Sequence, residues 1–142
     1  MFGMIKIEKA FFDTNIFIYA LDKDIDAAQS ILEEAILSDS AITSAITVME
    51  YCAGIYGKSG EAGVKVFQNF IKENYVYVCH IDSAKAVTAA KIRSRNSSLK
   101  ALDALQIASA IEEGCEVFYT NDKRLRKVQG VDLEIRVLES DC

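Results

Sequence analysis

Short apolar runs alternate with longer segments of helical periodicity along the chain, and this alternation limits the folds available to it. Because strands that alternate with helices form parallel sheets with right-handed crossovers, we predict an α/β fold in three layers, with helices on both faces of a small parallel sheet. Residues 1–7 are expected to extend the first strand. Aromatic and β-branched residues predict strands that end near residue 12 and lie near 41–43, 75–79, 116–120 and 133–137.

Apolar residues at three- to four-residue spacing predict the helices between these strands. The helix at 83–96 is expected to turn Ala86, Val87, Ala90 and Ile92 inward. The helix at 101–113 is apolar on most of its circumference, so we expect it to be central and buried, ending at Gly114. The remaining helices are predicted near 16–21, 25–37 and 44–57, around 64–71, and in a short basic segment after 122.

The length of 142 residues fits a single domain over 1–142, without internal repeats or linkers. No apolar run approaches the ~20 residues of a membrane span, and the amino terminus does not look like a secretion signal. We therefore expect an unexported, cytoplasmic protein. The four cysteines contain no Cys-x-x-Cys pair and are expected to be reduced, mostly buried thiols: Cys52, Cys79, Cys115 and Cys142.

The net charge of −5 conceals an uneven distribution. Residues 83–102 hold five cations and no acid, and residues 123–127 hold four more cations. Such segments could contact a phosphate backbone, although a solvated helix face would carry the same charges. The cations that we expect to contact RNA, from charge alone, are Arg93, Arg95, Lys100, Lys123 and Arg124.

Four acids occupy positions that solvation alone explains poorly. Asp13 and Asp122 each follow a predicted strand, Glu50 is surrounded by apolar residues, and Asp103 opens the most apolar helix. Each of the three aspartates could also be a local helix cap or first-turn acid. Together, the four carboxylates would suit a hard divalent cation, because the single histidine, His80, leaves few other metal ligands.

Four stretches of the chain resemble, in order and spacing, the motifs of PIN-domain ribonucleases, and especially the small VapC-type toxins. They are FFDTN at 11–15, SAITVMEY at 44–51, LDALQIASA at 102–110 and YTND at 119–122. The resemblance covers essentially the whole chain. It implies a PIN-like α/β/α fold and a Mg²⁺- or Mn²⁺-dependent endoribonuclease. One departure is Tyr51, which stands where the family frequently has Leu.

The resemblance also implies roles for individual residues. Asp13, Glu50, Asp103 and Asp122 would be the catalytic, metal-binding acids, and the supporting polar groups would be Thr14, Asn15, Ser44 and Thr120. It further implies an RNA substrate, a homodimer and a small antitoxin that neutralises the enzyme.

Two other functions are consistent with part of this pattern. A haloacid-dehalogenase-type phosphatase also places an Asp after its first strand, but it expects a second Asp two residues later, where this chain has Asn15. The second is a PIN-like module that binds RNA or protein without turnover.

Overall fold

Five parallel strands form a single sheet in the order β3-β2-β1-β4-β5. The structure is a computed structural model that describes residues 8–139, so the expected extension of the first strand by residues 1–7, and Cys142, lie outside the described residues. The parallel α/β prediction is confirmed. The strands are β1 (Ala10–Phe12), β2 (Ala41–Ser44), β3 (Tyr77–Cys79), β4 (Val117–Thr120) and β5 (Glu134–Val137).

Helices follow the strands much as predicted from the apolar periodicity. A π-helical turn, Ile18–Asp22, continues the first helix, and a 3-10 helix, Lys123–Lys127, follows β4. Gly114, just beyond the buried sixth helix, has a φ of 74°, the left-handed conformation that glycine adopts at helix ends without steric cost. The α-helices are α1 (Thr14–Phe17), α2 (Asp26–Leu37), α3 (Ala45–Tyr56), α4 (Gly60–Glu73), α5 (Ser83–Arg95) and α6 (Ala101–Glu112).

The two hydrophobic layers lie on opposite faces of the sheet. Phe12 and Phe17 belong to one cluster with residues of α2, α3 and α4. Phe11 belongs to the other cluster, which includes Phe118 and residues of α5 and α6. Successive strand residues point to opposite faces, so the adjacent pair Phe11 and Phe12 anchors both layers. Full burial of each phenylalanine contributes up to about 3 kcal/mol.

The inward face of α5 differs from the prediction. Ile92 is buried as expected, but Val87 is 71% exposed, and Ala86 and Ala90 are also exposed. The buried positions are instead Lys85, Ala89 and Ile92. Alanines carry little hydrophobic signal, and the lysine stem was not recognised as a core group.

Lys85 can be buried because its ammonium group has partners at the layer edge. Its Nζ lies 2.9 Å from Glu113 Oε2 and also donates to the backbone oxygen of His80. A paired lysine can bury its aliphatic stem at much lower cost than an unpaired one. Lys85 therefore does not belong to an RNA-contacting surface, which corrects its inclusion in the basic segment at 83–102.

Cys52, Cys79 and Cys115 are buried free thiols, as expected. Between residues 8 and 139, none of the helices is both long enough and apolar enough to cross a membrane.

Candidate active site

The sheet extends to both sides of β1, with β2 and β3 on one side and β4 and β5 on the other. The position between β1 and β4 is therefore the switch point of the strand order. In a parallel α/β sheet, ligands bind in the crevice outside the carboxyl ends of the strands at such a switch point. Asp13 immediately follows β1, and Asn121 and Asp122 follow β4. The sheet therefore brings residues from distant parts of the sequence to one edge.

Asp13 is the most buried of the four predicted acids, with 6% of its surface exposed. Its Oδ1 accepts the backbone N–H of Thr14 at 2.9 Å, and its Oδ2 accepts the hydroxyl of Thr120 at 2.9 Å. Burial, together with the weaker effect of the charges of Asp103 and Glu50, outweighs these hydrogen bonds and raises the pKa of Asp13 to about 6. Asp13 is therefore the N-cap of α1, and its ionised form is disfavoured by burial and by the neighbouring acids.

Glu50 reaches the same site from α3. Although its neighbours in sequence are apolar, its own residue surface is exposed. The hydroxyl of Thr14 donates to Glu50 Oε1 at 2.6 Å, so the residue after Asp13 holds this carboxylate. The apolar context thus reflects the buried side of α3, whereas Glu50 stands on the side that faces the crevice.

The negative charge of Asp122 acts on the carboxylate of Asp103. Asp103 lies in the first turn of α6, where burial first, and then the charge of Asp122, raises its pKa. Asp122 caps the 3-10 helix, and the guanidinium of Arg124 lies 2.7 Å from its Oδ2. Hydrogen bonding to Arg124 lowers the pKa of Asp122.

The donor chemistry of this edge fits a hard cation. Four carboxylates from four parts of the chain influence one another there, and oxygen is the donor that Mg²⁺ and Mn²⁺ prefer. In the described part of the chain, however, no three acids, histidines or cysteines are close enough together to form a metal-binding group. Three of the carboxylates accept hydrogen bonds from protein donors instead: Asp13 from Thr14 and Thr120, Glu50 from Thr14, and Asp122 from Arg124.

The predicted supporting groups connect the strand ends. Thr120 Oγ1 accepts the backbone N–H of Asp122 at 3.1 Å and the side-chain amide of Asn15 at 3.4 Å. Asn15 Oδ1 accepts the backbone N–H of Asn121 at 3.1 Å. Ser44 caps α3 by accepting the N–H of Ile46 at 3.1 Å. These bonds fix the loops that carry the acids.

Sequence reasoning missed Gln106, whose amide lies in the middle of the site. It is 1% exposed and lies within the apolar helix α6. Its Nε2 donates to Thr47 Oγ1 at 2.9 Å and approaches Asp13 Oδ1 at 3.5 Å, and its Oε1 accepts the hydroxyl of Ser44. The available signal was a polar residue among apolar ones, the same argument that singled out Glu50.

The five cations expected to contact RNA are all exposed. Two of them have partners within the protein: Arg124 is paired with Asp122, and Arg93 Nε donates to the backbone oxygen of Leu99 at 3.1 Å. Lys100 and Arg124 lie beside the carboxylates, since both line a cavity with Asp103.

Comparison with known proteins gives both a family and a set of structural relatives. A model of the PIN domain matches residues 10–131. No curated protein matches the chain by sequence. A chain of VapBC2 from Rickettsia felis, solved with a promoter DNA fragment, is 19% identical with a TM-score of 0.75, and the alignment covers 92% of this chain and 98% of that chain.

Two further solved structures share the fold. A chain of a toxin–antitoxin complex from Klebsiella pneumoniae is 25% identical with a TM-score of 0.65, over 89% of this chain and 99% of that one. VapC20 from Mycobacterium tuberculosis, described as a sarcin–ricin loop cleaving toxin, is 15% identical with a TM-score of 0.62, over 88% and 98%. These matches confirm the resemblance implied by the four motifs, and the chain belongs to the PIN domain family.

Proposed function

We propose that this protein is a Mg²⁺- or Mn²⁺-dependent endoribonuclease and the toxin of a toxin–antitoxin pair. The observation that carries the proposal is the position of Asp13, a buried carboxylate at the switch point whose pKa is raised by burial and by two further acids. Carboxylates that raise one another's pKa disfavour ionisation in the absence of a cation, which supports a cation site at this edge of the sheet. The RNA-cleaving relative VapC20 supports RNA as the substrate class.

In this proposal, Asp13, Glu50 and Asp103 hold the principal cation, and Asp122 helps to hold a second cation or the attacking water. The cation would lower the pKa of a bound water and stabilise charge on the phosphodiester. Thr120 and Thr14 orient the carboxylates of Asp13 and Glu50 through the hydrogen bonds described above. Binding of the cation by Asp13, Glu50 and Asp122 requires each carboxylate to leave or share its present hydrogen-bond partners.

The test is cleavage of a single-stranded RNA with Mn²⁺, with Mg²⁺ and with chelator. The parent is expected to cut only with a divalent cation, and Asp13→Asn is expected to lose cleavage. The matched control is Glu33→Gln, which removes a negative charge from the exposed surface of α2. Equal cleavage by the parent and Asp13→Asn would overturn the proposal.

The same assay separates the alternative of a binding module without turnover. That protein would bind RNA in the presence of Mn²⁺ but leave it intact in both the parent and Asp13→Asn. The phosphatase hypothesis has no support from Asn15, because both polar atoms of its side chain bond to the end of β4.

We extend the proposal to the partners. Structural relatives come from toxin–antitoxin complexes, which supports a small antitoxin, to be sought by co-expression with the product of the gene immediately upstream. A homodimer is proposed because large apolar residues are exposed on the edge strand β3 and on α5, including Tyr77 at 52% and Val87 at 71%. Light scattering at micromolar concentration tests it, and a clean monomer mass would remove this part alone.

A further inference from the structure

A cavity of about 340 Å³ opens beside the carboxylates, on the α5–α6 side of the sheet. It lies between the loop that joins α5 to α6, the first turn of α6, and the 3-10 helix. Asp103 and Arg124 stand on its wall, so the cavity is continuous with the candidate active site. Its volume lies within the range of small-ligand sites, about 300–1,000 Å³.

The wall of this cavity is fixed by hydrogen bonds within the protein. The side chain of Asn96 accepts the backbone N–H of Gln129 at 2.9 Å and donates to the backbone oxygen of Gln129 at 3.0 Å. Its amide also donates to Ile92 O at 2.9 Å, and Arg93 Nε donates to Leu99 O at 3.1 Å. The two loops that form the cavity are therefore joined to each other before any ligand arrives.

The lining of the cavity includes exposed cations and a hydroxyl. Lys100, Arg124 and Lys127 line the cavity together with Ser98, and all four residues are exposed. Asp103 is the one acid among the lining residues that the structure describes. Leu99 and Leu125, which are 8% and 2% exposed, line its apolar side. An anionic ligand with an apolar surface and hydroxyl groups fits this lining.

We infer that this cavity is a subsite for one nucleotide of single-stranded RNA, adjacent to the scissile phosphate. The inference rests on the proposed function, because it takes Asp103 as part of the catalytic edge. The nucleotide's phosphate lies against Lys100 and Lys127, and its ribose lies against the apolar side near Ser98. The wall is preformed, so binding requires little ordering of the protein.

The subsite can be tested without any cleavage. Backbone amide NMR spectra are recorded with 5′-AMP, 5′-UMP or inorganic phosphate at equal millimolar concentration, with chelator present. At least one nucleotide is expected to shift the amides of residues 96–100 and 123–128, and phosphate alone is expected to shift them less. Shifts of equal size with phosphate would reduce the site to a simple anion site and overturn the inference, as would an absence of shifts at these residues.

Matched variants locate the binding. Lys100→Ala combined with Lys127→Ala should weaken nucleotide binding about tenfold, the effect of losing roughly 1.4 kcal/mol of charge-assisted contacts. Ser98→Trp should fill the cavity and abolish the shifts. Lys65→Ala, which removes an exposed cation from α4 on the opposite layer, should bind like the parent. Unchanged affinity in both cavity variants, with parental spectra elsewhere, would overturn the assignment.

Cleavage kinetics distinguish this inference from the proposed function. In the double lysine variant, KM for a short RNA should rise about tenfold with little change in kcat, because the lost contact binds the substrate equally well in the ground state and the transition state. A parent that binds nucleotide in the cavity but never cuts RNA would refute the nuclease and support the subsite. A parent that cuts RNA with no nucleotide shifts in the cavity would refute the subsite alone.

Discussion

The hydroxyl of Thr120 donates to Asp13 Oδ2 at 2.9 Å, although the two residues are 107 positions apart in the chain. The hydroxyl oxygen of Thr120 also accepts the backbone N–H of Asp122 at 3.1 Å. One hydroxyl at the end of β4 therefore holds the carboxylate at the end of β1 and the loop that carries a second acid. This link makes the geometry of the candidate site depend directly on the pairing of the two central strands.

The first prediction concerns the stability of the metal-free protein as a function of pH. The pKa of Asp13 is about 6 in the folded protein, against 3.8 as the ordinary value. The folded state therefore binds more protons than the unfolded state between these pH values, so the free energy of unfolding falls as pH rises through this window. The shift corresponds to a cost of about 3 kcal/mol at pH 8.

Asp13→Asn should remove this cost while losing the acceptor for Thr120, which is worth about 1 kcal/mol. We expect the variant to be about 2 kcal/mol more stable than the parent at pH 8 and no more stable at pH 4. Denaturant unfolding with chelator present measures both values. Glu33→Gln should follow the parent at both pH values, and an Asp13→Asn curve parallel to the parent would contradict the assigned cause.

The second prediction is that Mn²⁺ or Mg²⁺ stabilises the fold. A cation that binds only the folded protein and relieves repulsion among carboxylates should add about 2.7 kcal/mol at a hundred times its Kd. Calorimetry with millimolar Mn²⁺, compared with chelator at matched ionic strength, measures the shift in Tm. Asp13→Asn should lose most of it. Identical Tm values for the well-folded parent in both buffers would count against a metal site.

The third prediction treats Gln106 as a positioning residue for Asp13. Gln106→Met keeps the length of the side chain but removes the donors to Thr47 and Asp13. Because the site is buried, the variant should lose about 2 kcal/mol of stability. The pKa of Asp13 should rise further, which moves the rising limb of the pH–rate profile for RNA cleavage to higher pH.

The control for Gln106 is Gln68→Met on the exposed surface of α4, which should change neither quantity. A purely structural role would lower stability and leave the pH profile in place. The shift of the profile is therefore the decisive measurement.

Positions could be predicted from the sequence for charged residues next to buried apolar segments, because burial of an unpaired charge is costly. An acid directly after a buried strand, as at Asp13, is expected at the carboxyl end of that strand. Because β1 is adjacent to β4, Asp13 then lies beside the carboxyl end of β4. Gln106 was not predicted as a site residue, because burial of a neutral amide in an apolar helix costs less free energy than burial of a carboxylate. Its partners, Ser44 and Thr47, are reached only through tertiary packing.

The error on α5 has a similar origin. Ala86 and Ala90 share the spacing of Lys85 and Ala89, so periodicity alone could not choose between the two faces. The choice depends on Glu113, which lies on the loop after α6 and provides a partner for Lys85. Similarly, the pairing of Asp122 with Arg124 depends on the 3-10 helix bringing the two side chains together.

The fourth prediction follows from that buried lysine. Lys85→Met keeps most of the apolar stem but leaves Glu113 without its cation, which should cost about 2 kcal/mol because Glu113 is partly exposed. Lys91→Met, on the exposed surface of the same helix, should change stability by no more than about 0.5 kcal/mol. Denaturant midpoints measure both. Equal losses in the two variants would show that the Lys85 pair contributes nothing specific.

The last prediction separates chemistry from RNA binding. Asp103→Asn removes a proposed metal ligand, so cleavage should be lost while RNA affinity stays similar or rises, since one repulsive charge near the phosphates is gone. Replacing Arg93, Arg95 and Lys100 with Ala should instead weaken binding with little effect on single-turnover cleavage at saturating RNA. The slope of log affinity against log salt should fall by about 1 per lost phosphate contact.

RNA affinity across a salt series, paired with single-turnover cleavage, measures both effects. Lys65→Ala is the control for loss of an exposed cation on the opposite layer. Arg93 bonds to Leu99 O, so the triple variant also requires a check of its Tm. Parental affinity and salt slope in a folded triple variant would mean that RNA enters by another surface. Parental cleavage by Asp103→Asn would refute the acid quartet itself, because the coupling of Asp103 to Asp122 and Glu50 would then have no part in the reaction.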